Sequence, residues 1–154
     1  MNLSLRANEK IYINGAILKF DRKVSLELMN DATFLLEAHF IQPDQTTTPL
    51  RQLYFVVQTM LIEPRNAGTA RLLFDRMLMT TACIFEDATV LFGLQQIDRL
   101  IAEESYFEAL KQLRALYPAE ATILASSGQA REPIFDKAIP RMAVVATRLD
   151  SHVA

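Results

Sequence analysis

Few side chains in this sequence are placed to do covalent chemistry. Its two histidines are His39, on an expected strand face, and His152, near the carboxyl end. Neither has the neighbours that a metal triad, a Ser–His pair or a Cys–His pair requires. The paired carboxylates Glu86-Asp87 and Glu103-Glu104 fall at expected helix boundaries, where a solvated cap is the ordinary role and general acid–base work is not. With only 4 glycines there is no phosphate-cradling loop. The single cysteine, Cys83, sits among Thr81, Ala82, Ile84 and Phe85 and is expected to be a buried core thiol, which argues against disulfides and thiolate metal sites. No catalytic set, metal or cofactor is expected.

What remains is cationic and aromatic. Arg6 alternates outward if Leu3, Leu5 and Ala7 face in, and an arginine can pair bidentately with phosphate or stack on a splayed base. Lys19, Arg22 and Lys23 form the only basic cluster, and with Tyr12 one strand away they could make a small stacking and phosphate surface. Plain surface roles suit the same residues: Arg6 as a strand charge that discourages edge pairing, the cluster as a charged hairpin turn. Arg51 is expected in the first turn of a helix, where the macrodipole disfavours a cation by about 0.3–1 kcal/mol. A functional contact or a local salt bridge could be the reason for it.

Composition sets the bounds on these candidates. The chain has 154 residues, 51% of them apolar, enough for one real core but hardly for two. Its formal net charge is −2. Within residues 1–49 the bases Arg6, Lys10, Lys19, Arg22 and Lys23 face the acids Glu9, Asp21, Glu27, Asp31, Glu37 and Asp44. Any RNA contact must therefore be a local patch, not a global field. The amino terminus lacks the basic and apolar segments of a signal peptide, and the longest apolar run, near Ala143 to Ala146, is far too short to span a bilayer. A cytoplasmic protein with no membrane contact is expected.

The elements that must position these residues change period along the chain. Short alternating runs are broken at Asn8-Glu9-Lys10, at Asn14-Gly15, whose positive φ angles suit a tight hairpin, at Asp21-Arg22-Lys23 and at Asn30-Asp31. The last alternation sets Leu36, Ala38 and Phe40 against Glu37, His39 and Ile41. That gives about five short antiparallel strands, a sheet too small to close its own core. At Thr48-Pro49 the period becomes helical, with Thr48 as N-cap and Pro49 at the first helical position. A helix to about Ile62 carries a stripe of Leu50, Leu53, Tyr54, Val57 and Leu61, widened by Phe55, Val56 and Met60. A second, Ala67 to Phe85, places Leu72, Leu73, Arg76, Met77 and Thr80 close to one face. A third follows Asp87, and a fourth starts at the capping box Ser105-Tyr106-Phe107-Glu108 and stops before Pro118. A short helical segment is expected over Ala119 to Ser126. The reading is an α+β fold: a β-module over 1–49, a helical region over 50–126, and a tail over 127–154 that is disordered or docked on a partner.

The runs Leu5-Arg6-Ala7-Asn8-Glu9-Lys10-Ile11-Tyr12-Ile13-Asn14-Gly15-Ala16, Asp21-Arg22-Lys23-Val24-Ser25-Leu26-Glu27-Leu28 and Thr48-Pro49-Leu50-Arg51-Gln52-Leu53-Tyr54-Phe55 resemble the FlbT family of flagellin regulators. The resemblance extends through Phe107-Glu108-Ala109-Leu110 and Leu116-Tyr117-Pro118, covering most of residues 1–125. It implies a non-enzymatic post-transcriptional repressor of flagellum biogenesis. Such a protein associates with the 5′ untranslated region of flagellin messenger RNA and promotes its degradation, with FlaF as its counterpart. The layout of residues 1–60 is also similar to the CsrA-type regulators, small β dimers that bind RNA leaders. That likeness implies RNA along the first strand and near the first helix, at Leu5, Arg6 and Arg51. The competing expectation is a protein-binding scaffold that grips FlaF, flagellin or a second copy through apolar faces around Phe55, Val56, Met60 and Met77. Self-association is expected under both, and no contact with DNA under either.

Overall fold

A computed structural model describes residues 1–127. The expected tail, apart from Ser127, lies outside the described residues. The strands come first: β1 (Asn2–Leu5), β2 (Lys10–Ile13), β3 (Ala16–Lys19), β4 (Val24–Glu27) and β5 (Phe34–Leu36). Helices α1 (Pro49–Ile62), α2 (Ala67–Ile84), α3 (Ala88–Ala102) and α4 (Tyr106–Ser127) follow, with single 3₁₀ turns at Glu37–His39, Pro43–Gln45 and Pro64–Asn66. This is the α+β order expected from the sequence.

The strands form two small antiparallel sheets instead of one: β1 pairs with β4, and β2 lies between β3 and β5. Asn14 and Gly15, at φ 46° and 90°, close the β2–β3 hairpin tightly. The longer break at Asp21-Arg22-Lys23 carries β4 away to the free edge of β1. Alternation then sorts the side chains. Ile11, Ile13, Phe34 and Leu36 face the β1–β4 pair and pack with Leu3, Leu5, Val24 and Leu26. Tyr12, Leu35 and Ile17 face the other way, into the helical core. β2 and β5 are covered on both faces, which explains why they are apolar at consecutive positions, while β3 is the exposed edge.

β5 ends at Leu36, short of the expected run to Ile41, because the backbone beyond it finds side-chain partners. The Glu37 carboxylate accepts the Lys10 N–H at 2.9 Å. Gln58 of α1 then acts as a substitute strand, accepting the Ile41 N–H at 2.9 Å and donating to the Ile41 carbonyl at 2.9 Å. The Ile41 N–H and carbonyl are thus satisfied without a ladder.

α1 is the central helix. The Thr48 hydroxyl accepts the Arg51 N–H at 3.3 Å, and Pro49 occupies the first turn. Every residue from Gln52 to Leu61 is buried. Phe55, Val56 and Met60 are therefore consumed inside the chain, and the apolar faces expected around them are not open to a partner. On α2 the buried residues are Ala70, Phe74 and Thr81; of the expected face, Leu73 and Met77 pack half-buried against the core while Leu72, Arg76 and Thr80 are exposed. Leu72 and Met79 stand 71% and 73% exposed. Cys83, which shares their stripe, is exposed as well, so the expected buried thiol is corrected: helical phase turns it away from Phe74.

α3 starts as expected, with the Asp87 carboxylate accepting the Val90 N–H at 3.0 Å. Its Gly93 is where α4 comes closest; a Cβ there would lie 2.6 Å from Leu116 Cδ1. α4 does not stop before Pro118. It runs through it and absorbs the segment expected as a separate helix. Proline removes one helical donor and crowds the carbonyl of Arg114, at a cost of about 3 kcal/mol. Burial of Leu116 and Glu120 on either side of it, with Ile123 packed beyond, outweighs that cost.

Candidate nucleic-acid interface

The two sheets meet at one end, and the cations gather there. Asn8, at φ 64°, turns the chain between β1 and β2 and donates its N–H to the Phe20 carbonyl at 2.7 Å, tying that turn to the one between β3 and β4. Leu5 opposes Val24 and Lys10 opposes Lys19 in register. Arg6, Lys10, Lys19, Arg22 and Lys23 are thereby brought to the same end of the module. The acids nearest to them are already committed. Glu9 accepts the Arg6 N–H at 2.8 Å, Glu37 is bound to Lys10, and Asp21 pairs with Arg22 at 3.2 Å. That last pair is 82% and 79% exposed, so it contributes little and exchanges readily for another anion. Glu27 lies at the opposite end of β4, across from Asn2. The five cations thus share one end of the module with Glu9, Asp21 and Glu37, while Glu27 lies away from them.

The other residues expected in an RNA surface lie elsewhere. Leu5 is fully buried in the cluster between the sheets. Tyr12 shares a sheet face with Lys19, but only 7% of it is exposed and its hydroxyl donates to the Ile62 carbonyl at 3.0 Å. Leu5 presents no face to a ligand, and Tyr12 shows only the part that borders the pocket it lines with Ile17 and Leu35: the apolar alternation that makes the strands draws both side chains inward. Arg6, Lys19, Arg22 and Lys23 are exposed.

Arg51 belongs to a second polar group, at the seam of α1 and α4. Its guanidinium lies 4.5 Å from the centre of the Tyr117 ring and 3.9 Å from Glu120 Oε1. Glu120 is wholly buried, and its other oxygen accepts the Leu50 N–H at 2.8 Å. Burial pushes the Glu120 carboxyl above the usual range, opposed by the Thr48 hydroxyl, the Leu50 N–H and Arg51. A buried anion at the start of α1 complements the helix dipole and removes the penalty on Arg51. Beside it the Tyr54 hydroxyl donates to the His39 carbonyl and accepts from Arg114 Nη1 at 2.8 Å. Burial pushes Tyr54 and Tyr117 up, while burial and Arg114 hold His39 below its ordinary value. Glu120 was not legible as a site in the sequence because Pro118 reads as an end to the helix that carries it, and Arg114 was not because its partner Tyr54 lies 60 residues away.

Among the described residues no three His, Cys, Asp or Glu side chains are grouped to hold a metal, and no helix is long and apolar enough to cross a membrane. The described residues thus form a small β-module with cations at one end, packed on four helices. The comparisons with known proteins give the family. Residues 1–124 match the family model for the flagellar protein FlbT. The chain is 56% identical over 124 residues to the probable flagellum biosynthesis repressor protein FlbT of Mesorhizobium japonicum, covering 80% of this chain and 84% of the relative. It is 50% identical over 137 residues to the same-named protein of a Chelativorans species, covering 89% and 94%, and 56% identical to that of Brucella abortus, covering 80% and 82%. No solved structure matches the chain. The chain belongs to the FlbT family, a family of regulatory repressors and not a known family of enzymes.

Proposed function

We propose that the protein represses flagellum biosynthesis after transcription, in the cytoplasm, by holding the 5′ untranslated region of flagellin messenger RNA on the basic end of its β-module and promoting degradation of the message. Membership of the FlbT family, through relatives named as repressors, carries this reading. The convergence of Arg6, Lys10, Lys19, Arg22 and Lys23 supports it, because cations spread along the sequence act on one stretch of phosphates only when the fold collects them. The test is titration with a flagellin leader RNA and a scrambled RNA across salt concentrations. Arg22→Ala combined with Lys23→Ala is expected to weaken binding and to flatten the salt slope by about 0.7 for each phosphate no longer neutralised. Equal affinity for both RNAs, with the double variant indistinguishable from wild type, sinks direct recognition.

A second reading has its own observation. Leu72 and Met79 on α2 and Phe92 on α3 are each more than half exposed, an apolar surface suited to a protein partner such as FlaF, flagellin or a second copy of the chain. Under that reading Met79→Asp dissolves complexes that survive nuclease treatment. A strictly monomeric mass by light scattering at micromolar concentration removes self-association.

A further inference from the structure

Beside the basic end lies a cavity of about 200 Å³, between the three-stranded sheet and the Glu37–Gln42 segment. Tyr12, Ile17, Leu35 and Phe40 form its apolar walls, and Lys10, Glu37 and Gln42 supply its polar groups. An apolar cavity of about 150 Å³ holds one benzene ring, so this one has room for a single pyrimidine. Strand register places it next to the cations: Lys10 and Lys19 are directly opposed, and Tyr12 and Ile17 are the next opposed pair on that face. A ring-sized apolar slot beside lysines is the complement of a base attached to phosphate.

We propose that this cavity takes one unstacked pyrimidine base of single-stranded RNA, with the flanking phosphates on Lys10 and Lys19. This deepens the RNA reading above and rests on it. Glu37 gives the slot a preference. Its carboxylate accepts the Lys10 N–H at 2.9 Å, stands 3.9 Å from the Lys10 ammonium, and remains 46% exposed. A carboxylate only accepts hydrogen bonds and has about four lone-pair sites, more than those two contacts use. It therefore suits the amino group of cytosine and not the carbonyl that uracil carries at the same position.

The test is fluorescence anisotropy of the full chain with 12-nucleotide probes: oligo(C), oligo(U) and an abasic ribose-phosphate chain of the same length. Oligo(C) is expected to bind about tenfold tighter than the abasic chain, within the range that one stacked base contributes. Ile17→Trp, which fills the cavity, is expected to bring oligo(C) down to the abasic level. Glu37→Gln keeps an acceptor for the Lys10 N–H and is expected to abolish the preference for oligo(C) over oligo(U). Two of these comparisons use the wild-type chain, so poor folding of a variant does not hide the answer. Equal binding of oligo(C) and the abasic chain, while Arg22→Ala with Lys23→Ala still weakens both, overturns the cavity and leaves the phosphate reading standing. No binding of any probe at low salt overturns both, unless cytidine monophosphate alone shifts the Tyr12 and Ile17 resonances. In that case the cavity stands as a site for a free nucleotide.

Discussion

At the residue scale Thr48 and Glu120 share the start of α1: the Thr48 hydroxyl accepts the Arg51 N–H and the buried Glu120 carboxylate accepts the Leu50 N–H, so cap and charge meet on one helix end. Glu120→Ala leaves the Leu50 N–H without its partner and is expected to cost about 2–4 kcal/mol in urea unfolding. Glu120→Gln keeps an acceptor there and is expected to cost less. The two variants also separate by pH. Because the folded carboxyl titrates above its unfolded value of about 4.3, an unfolded chain releases this proton first as pH rises, and stability falls across that window. Glu120→Gln removes that decline. The cap itself was legible, since Thr48-Pro49 is a local signal. The carboxylate was not, since its partner at Leu50 lies 70 residues away. Cys83 failed in the opposite direction: apolar neighbours in sequence suggested burial, and helical phase decided against it. One equivalent of a thiol reagent is expected to label the native protein without denaturant.

At the element scale, both ends of helices α1 and α2 and the start of α3 were readable to within a residue because their caps and breaks are local. α4 and β5 were not, and for one reason: each depends on what a distant segment offers. Pro118 reads as a stop in isolation, but Glu120 and Leu116 anchor the helix on both sides of it. Pro118→Ala restores the missing donor where the helix already exists. It is therefore expected to raise stability by about 1–3 kcal/mol in urea unfolding, with unchanged helix content by circular dichroism. A loss of stability overturns the view that Pro118 is only tolerated in α4. β5 read as a longer alternating run because Ala38 and Phe40 keep the period, yet Gln58 supplies from α1 the bonds that a neighbouring strand would have supplied.

At the scale of the whole molecule, the charge balance hid what the fold arranges. A net charge of −2 gave no sign of a cationic surface, because sequence position says nothing about which turns meet. The bond from Asn8 to Phe20 and two strand registers make that meeting. α4 joins the module to the helices: Phe107, near its start, sets its ring 5.0 Å from Phe34 of β5 and packs into the cluster between the sheets, while Glu120, near its end, holds the beginning of α1. The β-module and α1 are thus completed by α4, the last helix among the described residues. During synthesis the strands and α1 leave the ribosome well before α4, with Phe34 uncovered and the α1 start uncapped by Glu120. A chain ended after Tyr117 retains every strand, and it is expected to lose its cooperative unfolding transition. Any chain that stops short of α4 is therefore expected to leave Phe34 and the start of α1 without the partners described above.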